Sequence, residues 1–281
     1  MSRASAKRRA EVHPGRESST FDKTLRVLSS SGRHQLWRVF SDFVELAALS
    51  FSNVVLVDPE REARYLKILD AYEPDEQVLF PELLALVVLA QTNEPQDFLG
   101  AAFMRLELGS HWHGQFFTPW EVCRLMASVT IGDEAALRAL IAGKGYVSVL
   151  EPASGAGAMV LALAEAIRAL GFNPQRQLSV EAWDLDATAA RMAYVQCAVV
   201  GLPAKVVIGN SLSLEVRETL FTPQWHLGFW SARKSFAHEG PSVEAGAVPE
   251  AAPETESAAA VPALPSPPEA SKKAAGQLAL W

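Results

Sequence analysis

The stretch "VSVLEPASGAGAMVLALAEAIRALG" (147–171) constrains this chain more than any other. A β-rich run over 145–150 closes on an acid, Glu151. Two glycines follow in a G-x-G spacing, and a helical pattern over 159–170 begins at once. Gly155 and Gly157 let the backbone turn sharply and approach a ligand closely. The helix behind them points its unpaired N–H groups at the same place. Two more β-rich runs, 178–183 and 204–209, flank a second helical pattern over 186–201. Strand–helix–strand–helix–strand predicts a parallel α/β layer, and such layers bind ligands beyond the carboxyl ends of their strands.

Each strand end carries a candidate. At the first, Glu151 and Ala153 precede the glycines. No third glycine follows three residues on, so the dinucleotide fingerprint is incomplete, and an acid at the lip repels a pyrophosphate but suits an ammonium or hydroxyl. At the second, "WDLD" places Asp184 where a carboxylate accepts ribose hydroxyls. Trp183 and Leu185 stand ready to flank a base, and Asp186 reads as a helix cap. At the third, Asn210 offers an amide that matches the edge of adenine; it reads equally as a turn residue after Gly209. An acid, a ribose clamp and an adenine reader without a phosphate fingerprint fit S-adenosylmethionine, whose sulfonium and ammonium are positive.

Upstream lies "GQFFTPWEVCRLMASVTI" (114–131). It reads as a helix capped by Thr118, with Pro119 first and Glu121 closing a capping box. Residues 35–110 carry apolar residues at helical spacing and form an expected small helical domain. Asp58-Pro59 opens one of its helices. Residues 1–34 are polar and read as a disordered basic arm; nine Lys or Arg stand against three acids in the first forty residues of a chain whose net charge is −7. Such an arm suits a nucleic-acid backbone. Residues 236–281, rich in Ala, Pro and Glu, read as a disordered tail ending in "LALW". The two cysteines, Cys123 and Cys197, read as core fillers in a reducing, cytoplasmic setting. No apolar run of membrane-spanning length and no secretion signal is expected. His111 and His113 supply two ligands only, so no metal site is expected.

"GQFFTP" (114–119) followed by "EPASGAG" (151–157) resembles the N6-adenine DNA methyltransferase family, including the modification subunits of type I restriction systems and their phage and plasmid relatives. The resemblance covers about 98–230. It implies a Rossmann-like class I methyltransferase sheet, truncated here and preceded by helices, in a domain over 111–235. Its activity would be methyl transfer from S-adenosylmethionine to adenine N6 in DNA. It places Gln115, Phe117 and Thr118 around the methionine end and one side of the adenosine. Glu151 takes the family's acid position ahead of the glycines, and Asp184 its ribose acid. "GNSL" puts Asn210 where the family has an aspartate.

The family's NPPY-type tetrapeptide at the end of strand four, which accepts the target amine and stacks on the flipped base, is missing. The nearest sequence is "TPQW", so Thr222, Pro223 and Trp225 are the catalytic candidates, with "WHLGFW" (225–230) as strand four. DNA is the expected partner, with a further subunit or a second copy of the chain. The alternative is a degenerate relative that binds the cofactor and acts as a DNA- or protein-binding subunit.

Overall fold

The computed structural model of the chain describes residues 15–93, 95–108 and 117–239. Six helices come first: α1 (Arg16–Ser29), α2 (Leu36–Asn53), α3 (Pro59–Leu69), α4 (Pro74–Gln77), α5 (Leu79–Asn93) and α6 (Phe98–Arg105). Then follow α7 (Trp120–Ile131), α8 (Glu134–Ala142), β1 (Val147–Glu151), α9 (Ala158–Ala169), α10 (Pro174–Gln177), β2 (Leu178–Asp184), α11 (Ala187–Val199) and β3 (Ala204–Asn210). β4 (Glu215–Phe221), α12 (Pro223–Leu227) and α13 (Trp230–Glu239) complete the described chain.

The expected parallel layer is present. β1 pairs parallel with β2, and β2 with β3, so Glu151, Asp184 and Asn210 stand at neighbouring carboxyl ends. β2 and β3 are buried along most of their length, as parallel strands covered on both faces should be. β1 differs. It ends the sheet, no described strand pairs with its outer edge, and Leu150 is 65% exposed. The helix α7, packed on α9, is apolar on two faces. Cys123, Ala127 and Ile131 are buried, while Val122, Leu125, Met126 and Val129 form an exposed stripe at helical spacing.

Four sequence expectations need correction. Residues 1–34 are not uniformly an arm: α1 buries Phe21, Leu25 and Leu28 completely. These sit at i, i+4 and i+7, enough to anchor a helix despite its polar composition, and Phe21 meets the rings of Phe43 and Phe98 edge-on. Residues 236–281 do not form one unstructured tail from their start, because α13 runs to Glu239; 240–281 lie outside the described residues. Strand four is not "WHLGFW". That stretch spans α12 and the start of α13, and Trp225 and Trp230 bury with Tyr146 in a small cluster of their own. The strand after β3 is the hairpin partner β4, antiparallel to it. Finally, α7 starts at Trp120 with Pro119 at the N-cap and no side-chain cap. Thr118 instead lends its carbonyl to Cys123 Sγ. The cap at Asp58 is as expected: its carboxylate accepts from the N–H groups of Glu60 and Arg61.

The helical layer and the α/β layer share one apolar core. Polar ties cross between them. Ser52 on α2 donates to the hydroxyl of Tyr194 on α11 over 2.9 Å, and Tyr194 donates onward to the Phe221 carbonyl. Fully buried Gln196 on α11 donates to Asp97 and to the Ala156 carbonyl, both at 2.8 Å. Its oxygen accepts from Gln91 and the Leu99 N–H. All four groups belong to the helical layer or the glycine turn, so one side chain fixes the turn against the helices.

Candidate cofactor site

The turn after β1 is built by backbone needs. Gly155 sits at φ +51° and Gly157 at φ +92°, both in the left-handed region. Space demands glycine as well. A Cβ on Gly155 would fall 2.9 Å from Phe117 Cδ1, and one on Gly157 would fall 3.1 Å from the Cα and Cβ of Ala193 on α11. The Phe117 ring therefore lies directly on the turn. On its other side it meets Phe103 of α6, ring centres 5.4 Å apart. Phe117 is thus held between the helical layer and the glycines.

A cavity of about 250 Å³ opens beside this contact. Phe117, Thr118, Glu151, Ala153 and Gly155 line it, five residues picked out by sequence that the fold brings together. Glu151 is half-buried; burial raises its carboxyl above the ordinary glutamate value, and the Ala153 N–H draws it partly back. A cation placed there would relieve that cost.

Asp184 stands on the far side of Gly155. Its Oδ2 accepts the Gly155 N–H and its Oδ1 the Asp186 N–H, both at 2.8 Å. Burial raises its carboxyl, and these bonds oppose the rise. Each oxygen keeps acceptor capacity for a hydroxyl. Leu185 follows, largely exposed, with its carbonyl held by the guanidinium of Arg217 on β4.

Other expected members fall elsewhere. Asn210 Oδ1 accepts the N–H groups of Leu212 and Ser213, so the turn reading describes it and its oxygen is turned into its own loop. Trp183 is buried and donates to Glu181, so it does not flank a base beside Leu185. Gln115, with His111 and His113, lies outside the described residues. Thr222, Pro223 and Trp225 are at the wrong end of the sheet. Thr222 Oγ1 accepts from the N–H of Ala204, the first residue of β3, and donates to the Leu202 carbonyl. β3 then runs to Asn210, roughly 20 Å further on at the usual rise per residue. These three residues secure the amino end of the sheet and do not reach the cavity.

Sequence reasoning also missed members. Cys123, Met126, Ser154 and Met159 line the cavity. Their types carry no signal by themselves; Ser154 comes with the glycine turn, and the packing of α7 on α9 brings the other three there. Gln196, which no motif singles out, positions the turn through the Ala156 carbonyl.

Among known proteins, residues 106–227 match the family model described as N-6 DNA Methylase. Two solved structures are similar to the chain. One is a putative class I S-adenosylmethionine-dependent methyltransferase from Listeria monocytogenes, at 16% identity and TM-score 0.37, covering 67% of this chain and 50% of that one. The other is the methyltransferase subunit of a type I restriction-modification system from Streptococcus thermophilus, at 16% identity and TM-score 0.31, covering 66% and 49%. The chain thus spans about half the length of these structures. No curated protein matches. The family-model match spans the interval that holds Phe117, the glycine turn and Asp184, and covers less than half of the chain.

Proposed function

We propose that the chain binds S-adenosylmethionine at the carboxyl ends of β1 and β2 and takes part in methyl transfer to the N6 amine of adenine in DNA. One observation carries the reading: Phe117, Thr118, Glu151 and Gly155 surround a single cavity, and Gly155 is bonded directly to Asp184. The residues suit the group. Glu151 would pair with its ammonium, Asp184 would accept its ribose hydroxyls, and Met126 and Met159 offer soft apolar contact. When bound, the cofactor supplies an electrophilic methyl group on a positive sulfur. The chain's own part is to hold and orient it, through a turn that Phe117 and Gln196 keep rigid.

Among the described residues, no amide or carboxylate in the cavity other than Glu151 is placed to accept a target amine. That favours an acceptor from a further polypeptide, either a partner subunit or a second copy. The open edge of β1 and the exposed stripe of α7 border the cavity through Glu151 and Met126, and a strand added there would end beside it. The same observation supports a second reading, in which the chain binds the cofactor and transfers nothing.

Transfer of labelled methyl from the cofactor to unmethylated DNA tests the two. Transfer that disappears in Asp184→Ala supports the first reading, whether it needs an added partner or not. Clear binding of S-adenosylhomocysteine by calorimetry without transfer supports the second. Absence of binding by folded protein removes both.

A further inference from the structure

A second cleft, of about 600 Å³, lies between α3 and β4, away from the cavity described above. At its floor, Arg64 and Glu218 belong to an ion ring that closes on itself. Arg64 on α3 and Arg191 on α11 each pair with both Glu45 on α2 and Glu218 on β4. Two guanidinium groups and two carboxylates neutralise one another, so the floor holds no spare charge. Asp58 is also engaged, since its oxygens accept two N–H groups at the start of α3 and the Arg61 Nε at 3.3 Å.

Two forked donors in the walls remain. Arg61 spends only its Nε, on Asp58, and neither of its terminal nitrogens meets an acceptor among the described residues. Arg217 spends one terminal nitrogen on the Leu185 carbonyl. Arg61 sits close enough to His226, which also lines the cleft, that its charge adds to burial in lowering that imidazole's proton affinity. Leu56 and Phe221 give the cleft an apolar side, and Glu60 is the lining carboxylate without an ion-pair partner among the described residues.

We propose that this cleft binds a phosphate-bearing sugar unit, its phosphoryl oxygens on the free nitrogens of Arg61 and Arg217 and its sugar hydroxyl on Glu60. Planar guanidinium forks match phosphoryl oxygens in geometry as well as charge, and the volume lies in the range of small-ligand sites. The unit is either a free sugar phosphate or one link of a nucleic-acid strand. Arg217 also holds the loop after Asp184, so the occupant touches a residue that shapes the cofactor site.

Calorimetry on the full chain at low salt, with ribose 5-phosphate, ribose and an oligothymidylate as probes, tests this. Neither phosphate probe carries adenine, so the cofactor cavity does not compete. The wild type should bind a phosphate probe and not ribose. Arg61→Gln should weaken that binding at least tenfold, with Arg61→Lys between the two, while S-adenosylhomocysteine binding stays unchanged. Arg33→Gln, in a surface pair elsewhere, should change nothing. Binding of the oligothymidylate alone would identify the strand as the source; binding of ribose 5-phosphate as well would identify the free sugar phosphate. Failure of both phosphate probes to bind folded wild type, or equal binding by Arg61→Gln, overturns the site without touching the cofactor assignment.

Discussion

The main-chain N–H of Gly155 donates to Asp184 Oδ2 over 2.8 Å, joining the carboxyl ends of β1 and β2 by a bond between a turn and a side chain. With the Asp186 N–H on the other oxygen, Asp184 organises both loops before any ligand arrives. Removing it should therefore act on fold and site together. Asp184→Ala should lose about 1.5–3 kcal/mol of stability, the usual range for bonds to a charged acceptor, and S-adenosylhomocysteine affinity should fall beyond detection. Asp184→Asn keeps one acceptor and turns an amide donor toward the second N–H, so it should fall between. Urea denaturation and calorimetry read the two effects separately.

Phe117 makes a steric prediction. Gly155→Ala places a methyl about where the Phe117 ring edge now lies, in a left-handed conformation. The backbone strain alone is worth about 1–2 kcal/mol, with overpacking added to it. In Gly155→Ala/Phe117→Ala the overpacking disappears and the strain stays, so the double variant should be more stable than the sum of the singles. Additivity in that cycle would mean that the ring does not rest on the turn in solution.

The parts of this molecule that were legible from sequence are those where one physical requirement dictates residue type. β2 and β3 are buried on both faces and read as β-rich runs; Gly155 and Gly157 occupy conformations that nearly exclude side chains. Legibility failed where one type serves two ends. An asparagine after a strand suits a turn or a ligand, and only the bonds from Leu212 and Ser213 decide for the turn. β4 was hidden because it is an edge strand with Glu215, Arg217 and Glu218 along it, entered through a positive-φ Leu214 that carries no turn signature. α1 was hidden by its Ser, Arg and Lys content, although three apolar residues suffice to bury it. "TPQW" misled because a proline and an aromatic at the right spacing also begin a short helix and fill a corner, as Pro223 and Trp225 do.

Thr222 separates structure from chemistry. Its hydroxyl bridges the Ala204 N–H and the Leu202 carbonyl in a fully buried place. Thr222→Val should cost about 1–3 kcal/mol by leaving those groups unpaired, or several degrees of melting temperature in a chain of this size. At temperatures where the variant is folded, cofactor affinity and any methyl transfer should match the wild type. A selective loss of transfer with unchanged stability would return Thr222 to the catalytic site.

Asp97 predicts how stability depends on pH. It is buried, caps α6 through the Gly100 N–H, and accepts from Gln196, the residue that holds Ala156. Burial raises its carboxyl above the ordinary value of 3.8, and the two bonds do not cancel the rise. A carboxyl whose proton affinity is higher folded than unfolded favours the fold below the unfolded value. That contribution is lost as pH rises through the folded value. Asp97→Asn has no such proton to lose and can still accept both bonds. Measured by urea denaturation from pH 4 upward, its stability relative to wild type should therefore grow as pH rises and level off once Asp97 is ionised. Asp97→Ala and Gln196→Leu should lose stability at every pH, by about 1–3 kcal/mol for each buried group left unsatisfied. They should also weaken S-adenosylhomocysteine binding, because the glycine turn loses its anchor to the helices. A wild type and Asp97→Asn that keep a constant difference across that range would mean that Asp97 titrates alike in the folded and unfolded chain, and that the Asp97–Gln196 bond is not buried as the packing of α6 on α11 requires.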